Sequence, residues 1–384
     1  MPTPTSTGSI TGSSAGPRRT RLIFHIGDRK TGSTSIQLAF AQGLITLPGH
    51  SLFYPAKLAS NPMGDLFTTY GKATNPAKRE AAAEPLRKLA NRIRKRGADF
   101  TVISAEAFEG VSPLHFRRVI DDIFADAADE IRVIGYVRPH AARLLSTYAE
   151  RTKVGLPRAL DNTMEDFVSL REDKQEFFYL PRFGDWRAQF GDAFTLRPMI
   201  RKELRNGSVV EDFLHVAFDG RPFTVVEDDP TNESLCLEDL MRLKVLQQRM
   251  QSASRDLRLK LGWEFARILS MLPPAPIRTK LRLHRSLAES IRTTYLEDAR
   301  AMDRTFFDGV PLLETELQKA AAEAPEAPQS NNPADHLSPS EMRALDVYSI
   351  LVMELLETEE VNWSAFLHRK RLEDVRAVQD ARSD

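Results

Sequence analysis

The sequence predicts an α/β protein: a central parallel sheet with helices on its faces, extended by a helical C-terminal region. Three observations carry this expectation. Short apolar runs alternate with helix-compatible segments over residues 21–155. The first run ends in glycine and feeds a polar loop that opens into a helix. From about Leu235 to Phe307 the pattern is almost wholly helical.

The elements follow in order. Met1 to about Arg19 is rich in Ser, Thr, Gly and Pro, so residues 1–20 read as a disordered tail. RLIFHIG (21–27) is a buried strand entering a turn, and TSIQLAFAQGL (34–44) is helix-compatible. Residues 48–76 are punctuated by proline and glycine and read as loop with short elements. Residues 77–97 form a helix with Leu86, Leu89, Ala90 and Ile93 on one face. DFTVIS (99–104) is a strand, 113–127 a helix, EIRVIGYVR (130–138) a strand, and 141–155 an amphipathic helix ended by glycine. DAFTLRPMI (192–200) and SVVEDFLHVAF (208–218) add a strand and a helix. Alanine, proline and polar residues without period dominate 318–340, so 308–340 reads as a linker before a closing helical segment, 341–384.

Composition bounds the function. The 384 residues carry 53 Lys+Arg and 53 Asp+Glu, which argues against a protein that coats DNA or an acidic membrane. At 42% hydrophobic and 28% charged, the chain can bury a core. The single cysteine, Cys236, rules out an internal disulfide and a thiolate cluster. No apolar run reaches membrane-spanning length, and the first twenty residues lack a signal-peptide core. The expectation is a soluble, cytoplasmic protein. Basic stretches at 87–96 and 278–285 read as solvated helix faces, or as contacts to an acidic acceptor; without interleaved aromatics they do not predict nucleic-acid binding. The histidines show no metal-ligand spacing, and no catalytic metal is expected.

The sharpest motif is Gly27-Asp28-Arg29-Lys30-Thr31-Gly32-Ser33-Thr34-Ser35, between a strand and a helix. Glycines let backbone N–H groups converge there, the helix N-terminus adds partial positive charge, and Lys30 with the hydroxyls of Thr31, Ser33, Thr34 and Ser35 completes a setting for a multiply charged anion. The order is not that of a Walker loop, because Lys30 precedes Gly32. Asp28 would repel such an anion, so it is expected to face outward or to pair with Arg29. A second motif, Arg138-Pro139-His140-Ala141-Ala142-Arg143-Leu144-Leu145-Ser146, ends the 130–138 strand in arginine and carries serine two turns into the next helix. Both side chains can reach one phosphate.

Together, K-T-G-S-T and the arginine–serine pair resemble the sulfotransferases that use 3′-phosphoadenosine 5′-phosphosulfate, especially their glycan-modifying and bacterial branches. The resemblance covers residues 21–235, with weaker echoes to 307. It implies a P-loop-like three-layer fold with a five-stranded parallel sheet over 21–307 (α/β core 21–235, helical part 236–307). It also implies a 5′-phosphosulfate loop at Arg29, Lys30, Thr31, Gly32, Ser33, Thr34 and Ser35, and a 3′-phosphate site at Arg138 and Ser146. Pro139-His140 departs from the usual Asp-Pro or Asn-Pro. Lys30 is then the cation at the bridging oxygen. Glu106, at the end of the preceding strand, matches the position of the base, a histidine in the cytosolic branch and a glutamate in several glycan-modifying members. A solvated Glu106 and a packed His25 are the plainer readings of those two residues. The implied reaction is sulfuryl transfer to an acceptor hydroxyl, on a small molecule or a glycan. A nucleotide-dependent kinase and a non-catalytic nucleotide-binding protein remain as alternatives.

Overall fold

A computed structural model of the chain describes residues 19–226, 235–356 and 361–380. Most of the expected tail and parts of the closing segment thus lie outside the described residues. Strands β1 (Arg21–Ile26), β2 (Ile45–Thr46), β3 (Leu52–Phe53), β4 (Phe100–Ala105), β5 (Glu130–Val137), β6 (Phe194–Pro198) and β7 (Thr224–Val225) form two sheets. Five of them make an all-parallel sheet in the order β3-β4-β1-β5-β6, while β2 and β7 pair antiparallel.

The central strand shows why the sequence reads as it does. Every residue of β1 is buried. Leu22, Phe24 and Ile26 enter one core, and Ile23 enters another on the opposite face. A strand covered on both sides cannot alternate apolar with polar, so it is written as a continuous apolar run. One face is covered by α1 (Ser33–Ala41) and, later in the chain, the helix Val209–Ala217. The other is covered by α2 (Pro62–Lys72), α3 (Pro76–Arg96), α4 (Pro113–Val119) and α5 (His140–Lys153), among others. On that side the Phe24 ring meets Phe67, Phe108, Phe116 and Phe124 at centroid distances of 5.3–6.2 Å. The region expected as loop, 48–76, holds the eleven-residue helix α2, started by Pro62 at its first turn.

Beyond the sheet come α6 (Pro157–Asp161), α7 (Met164–Asp173), α8 (Tyr179–Phe190) and α9 (Val209–Ala217). The predicted helical region contains α10 (Leu237–Arg249), α11 (Arg255–Met271) and α12 (Arg285–Phe306). The stretch 308–340 is not simply a linker. It carries α13 (Leu312–Ala322), whose Leu313, Leu317 and Ala321 are buried at four-residue spacing. Asp303 of α12 accepts the N–H groups of Leu313 (2.9 Å) and Glu314 (3.0 Å), supplying the cap that the segment itself lacks. Further on, the Asn331 amide donates to the Tyr148 hydroxyl at 3.3 Å, and Pro333 is buried. The closing segment is two helices, α14 (Pro339–Leu356) and α15 (Trp363–Asp380). No helix among the described residues is long and apolar enough to cross a membrane.

Candidate functional site

Three neighbouring strands deliver the motifs to one edge of the sheet. β1 ends at the loop 27–32, β4 at Glu106 and β5 at Arg138. The carboxyl ends of parallel strands are where open α/β sheets place ligands. A Cβ on Gly27 would lie 2.4 Å from Ser33 Oγ and 3.3 Å from Glu106 Cα, so this approach requires glycine. Gly32 has φ +82°, and a Cβ there would meet Val209 Cγ1 at 2.7 Å; α1 thereby starts directly against α9. Lys30 also adopts a left-handed conformation, φ +67°. Such strain in a non-glycine residue persists only where its surroundings hold it. Arg138 supplies one hold, donating from Nη1 to the Lys30 carbonyl at 2.8 Å.

No side chain caps the N-terminus of α1, and no acidic residue stands in its first turn. Ser33 is buried there with its Oγ unpartnered among the described residues. An uncapped helix N-terminus with an orphaned hydroxyl suits an anion. Thr34 and Ser35 lie half-buried in the same turn. Thr31 differs from expectation: it is fully buried, and its hydroxyl donates to the Asp28 carbonyl, so it braces the loop. Arg29 is exposed. Ser146 is half-buried on α5 and donates back to the Arg143 carbonyl at 3.2 Å.

The Pro139-His140 departure has a physical account. His140 is fully buried, shares a 2.9 Å hydrogen bond with Asp298, and its ring lies 4.4 Å from that of Tyr179. The Tyr179 hydroxyl donates to the Arg138 carbonyl at 2.9 Å. The histidine thus anchors the turn that presents Arg138. Burial and the like charge of Arg143 lower the Arg138 pKa, leaving a guanidinium that gains from a nearby anion.

Asp28 faces neither solvent nor Arg29. It is 2% exposed and pairs with Arg143 at 3.0 Å and Arg182 at 3.0 Å. Burial opposes its charge, but the two guanidiniums win and hold its pKa down. Glu109 completes the cluster, 2.9 Å from Arg143 and 3.2 Å from Arg182, and accepts the Arg29 backbone N–H at 3.3 Å. Burial, together with the Asp28 charge, pushes the Glu109 pKa up. Arg143 is accordingly a buried member of this cluster, tying the loop to α5, while Arg182 ties it to α8.

Above the loop, Lys30 Nζ donates to Glu150 Oε2 at 3.0 Å. Lys153 approaches the same oxygen at 2.7 Å, and the Trp263 indole N–H donates to Glu150 Oε1 at 3.1 Å. Burial would raise the Glu150 pKa, yet Lys153 and Lys30 carry it down to about 2. Glu106 is the contrast. It opens a short turn after β4, and its carboxylate makes no hydrogen bond among the described residues. Burial raises its pKa, against the pull of Lys30. A half-buried carboxylate with free lone pairs and raised basicity can take a proton. His25 cannot serve: it is fully buried, shares a 2.8 Å hydrogen bond with Ser104, and burial lowers its pKa to about 3. Tyr148 is packed in the core.

The structure therefore brings together Lys30, Ser33, Glu106 and Arg138, and adds residues that the sequence does not announce. Glu150 follows Ser146 by one helical turn, a spacing visible in the sequence. Glu109, Arg182 and Trp263 arrive from separate elements with no local signal. Set against known proteins, the chain matches no family model, no curated protein and no solved structure. Its function has to be read from its own chemistry.

Proposed function

We propose that this chain is a sulfotransferase on a P-loop-like α/β fold, moving a sulfuryl group from 3′-phosphoadenosine 5′-phosphosulfate to an acceptor hydroxyl. The observation that carries the reading is the contact between the two anion-binding motifs: Arg138, distant in sequence, donates to the carbonyl of Lys30 at 2.8 Å. One end of the donor would rest on the α1 N-terminus, with Ser33 and Lys30, and the other on Arg138, with Ser146 turned outward. Lys30 would leave Glu150 for the bridging oxygen of the donor, where charge grows as the S–O bond breaks. Glu106 would take the acceptor's proton as the new S–O bond forms, so the products are the sulfated acceptor and adenosine 3′,5′-bisphosphate. Glu150 is the poorer base, because two lysines stabilise its ionised form.

The competing kinase reading needs carboxylates free to hold magnesium; Asp28 and Glu150 are each committed to two cations, which leaves Glu106 as the uncommitted one, and Lys30 precedes Gly32 rather than following it as in a Walker loop. Melting curves separate the two. Adenosine 3′,5′-bisphosphate at about a hundred times its dissociation constant should add about 2.7 kcal/mol of stability, and ATP with magnesium much less. Equal or greater stabilisation by ATP–magnesium would refute the sulfotransferase reading.

A further inference from the structure

Helix α15 packs on α11, the helix that carries Trp263 of the candidate site. At one end Ser364 donates to Asp256, and Lys370 to Glu264 at 3.1 Å, both on α11. Toward the other, Gln379 donates to the carbonyl of Ala41, the last residue of α1, and Val375 is buried. Between these anchors Arg371 holds its guanidinium over the Trp263 ring, 5.5 Å from the centroid. Trp263 is the same residue whose indole N–H reaches Glu150, the partner of Lys30. Arg371 thus stands three contacts from the candidate catalytic lysine, through Trp263 and Glu150.

This guanidinium is half-buried, and among the described residues it makes no hydrogen bond and no ion pair. The carboxylates nearest to it electrostatically are Glu106, Glu264 and Glu150. Glu150 is committed to Lys30 and Lys153, and Glu264 to Arg267 at 2.7 Å and Lys370. Burial lowers the Arg371 pKa, despite the pull of those carboxylates. A planar fork of donors partly withdrawn from water and left unpaired is costly unless an anion arrives to fill it.

We propose that Arg371, braced on Trp263, is an anion subsite on the acceptor side, and that the acceptor carries a carboxylate or similar anionic group near the hydroxyl facing Glu106. The proposal rests on the sulfuryl-transfer reading. It assigns α15 a role in acceptor choice that the donor loop cannot supply, since Arg371 stacks on Trp263 of α11 within electrostatic reach of Glu106, whereas the donor motifs lie at the N-terminal ends of α1 and α5.

The test uses the full chain loaded with adenosine 3′,5′-bisphosphate and two matched pairs of probes: methyl glucoside with methyl glucuronide, and phenol with 4-hydroxybenzoate. Binding is read by ligand-observed NMR and calorimetry. In the wild type, the anionic member of at least one pair should bind about ten- to a hundredfold more tightly, the range of a charge-assisted contact. Arg371→Ala should erase that preference while leaving bisphosphate affinity and melting temperature unchanged. Arg371→Lys should keep part of it, and Trp263→Leu should reduce it. Bisphosphate binding without any anion preference in the wild type, or a preference that survives Arg371→Ala, overturns the proposal. A parallel loss of bisphosphate affinity in Arg371→Ala also overturns it, because the arginine would then be a donor ligand. Wild-type protein that binds no bisphosphate overturns the sulfotransferase reading itself, a separate outcome.

Discussion

Asp28→Asn keeps the shape of the side chain and removes its charge, so it measures what the buried cluster beneath the loop contributes. Asp28 is 2% exposed and meets Arg143 and Arg182, each at 3.0 Å. Taking one partner from a buried ion pair costs about 3–5 kcal/mol. Glu109 limits the loss, since it already lies 2.9 Å from Arg143 and 3.2 Å from Arg182. With the Asp28 charge gone, one cause of its raised pKa disappears, and its carboxylate takes over both guanidiniums. The expected cost at neutral pH is therefore at the low end, about 3 kcal/mol. At about 2.1 cal/mol/K per residue, unfolding entropy for a chain of this length is about 0.8 kcal/mol/K, so the melting temperature should fall by about 4 °C. The sign with pH follows from the depressed Asp28 pKa. Its contribution is present above the ordinary carboxylate pKa of about 4 and is lost as pH falls through the folded value, so variant and wild type should converge in acid. Asp28→Asn combined with Glu109→Gln should cost more than the sum of the single changes, because each carboxylate covers for the other. A single variant within about 0.5 kcal/mol of wild type at pH 7, the size of an ordinary surface change, would refute the account of this cluster.

Three further outcomes follow from the site. Glu106→Gln should lower sulfuryl-transfer turnover by about 10²–10⁴ while bisphosphate affinity stays within a few fold, measured with labelled donor and a panel of hydroxyl acceptors; an unchanged rate would make Glu106 a bystander. Arg138→Ala should weaken bisphosphate binding by about 1.5–3 kcal/mol in calorimetry, with Arg138→Lys recovering only part, since a point charge lacks the fork; normal binding by the alanine variant would remove the second anion site. Glu150→Gln should release Lys30 and tighten bisphosphate or donor binding, because the carboxylate that competes for the lysine is gone; weaker binding would show that Glu150 positions Lys30 for the donor.

How much of this was legible depends on whether the partners lie close together in sequence. β1, β4 and β5 could be read because strands covered on both faces are written as apolar runs, and the loop 27–35 because its anion-binding groups are contiguous. The helix α13 could not, because its N-terminal cap is Asp303 on the preceding helix and its own composition is alanine-rich and weakly patterned. The place of Asp28 is hidden in the sequence for the same kind of reason. A carboxylate inside an anion loop is repulsive by itself; it becomes a brace only when Arg143 and Arg182, 154 residues away in the latter case, converge on it.

The same dependence on remote partners decides which carboxylate can act as base. Glu106 and Glu150 are chemically identical, and both lie within electrostatic reach of Lys30. Burial raises both pKa values, but Lys153 and Lys30 reverse the effect at Glu150 and bring it down to about 2, whereas Glu106 has no hydrogen-bonded cation among the described residues and stays raised. Environment thus separates two like groups, one held ionised as a counter-charge and the other raised in basicity, the separation that the proposed acid–base chemistry needs. The spacing along α5 reveals that Glu150 can reach the site. That it arrives neutralised is decided by Lys153 one turn further along α5 and by the loop lysine held in a left-handed turn on a different strand end, and this is why the proposal gives the base role to Glu106.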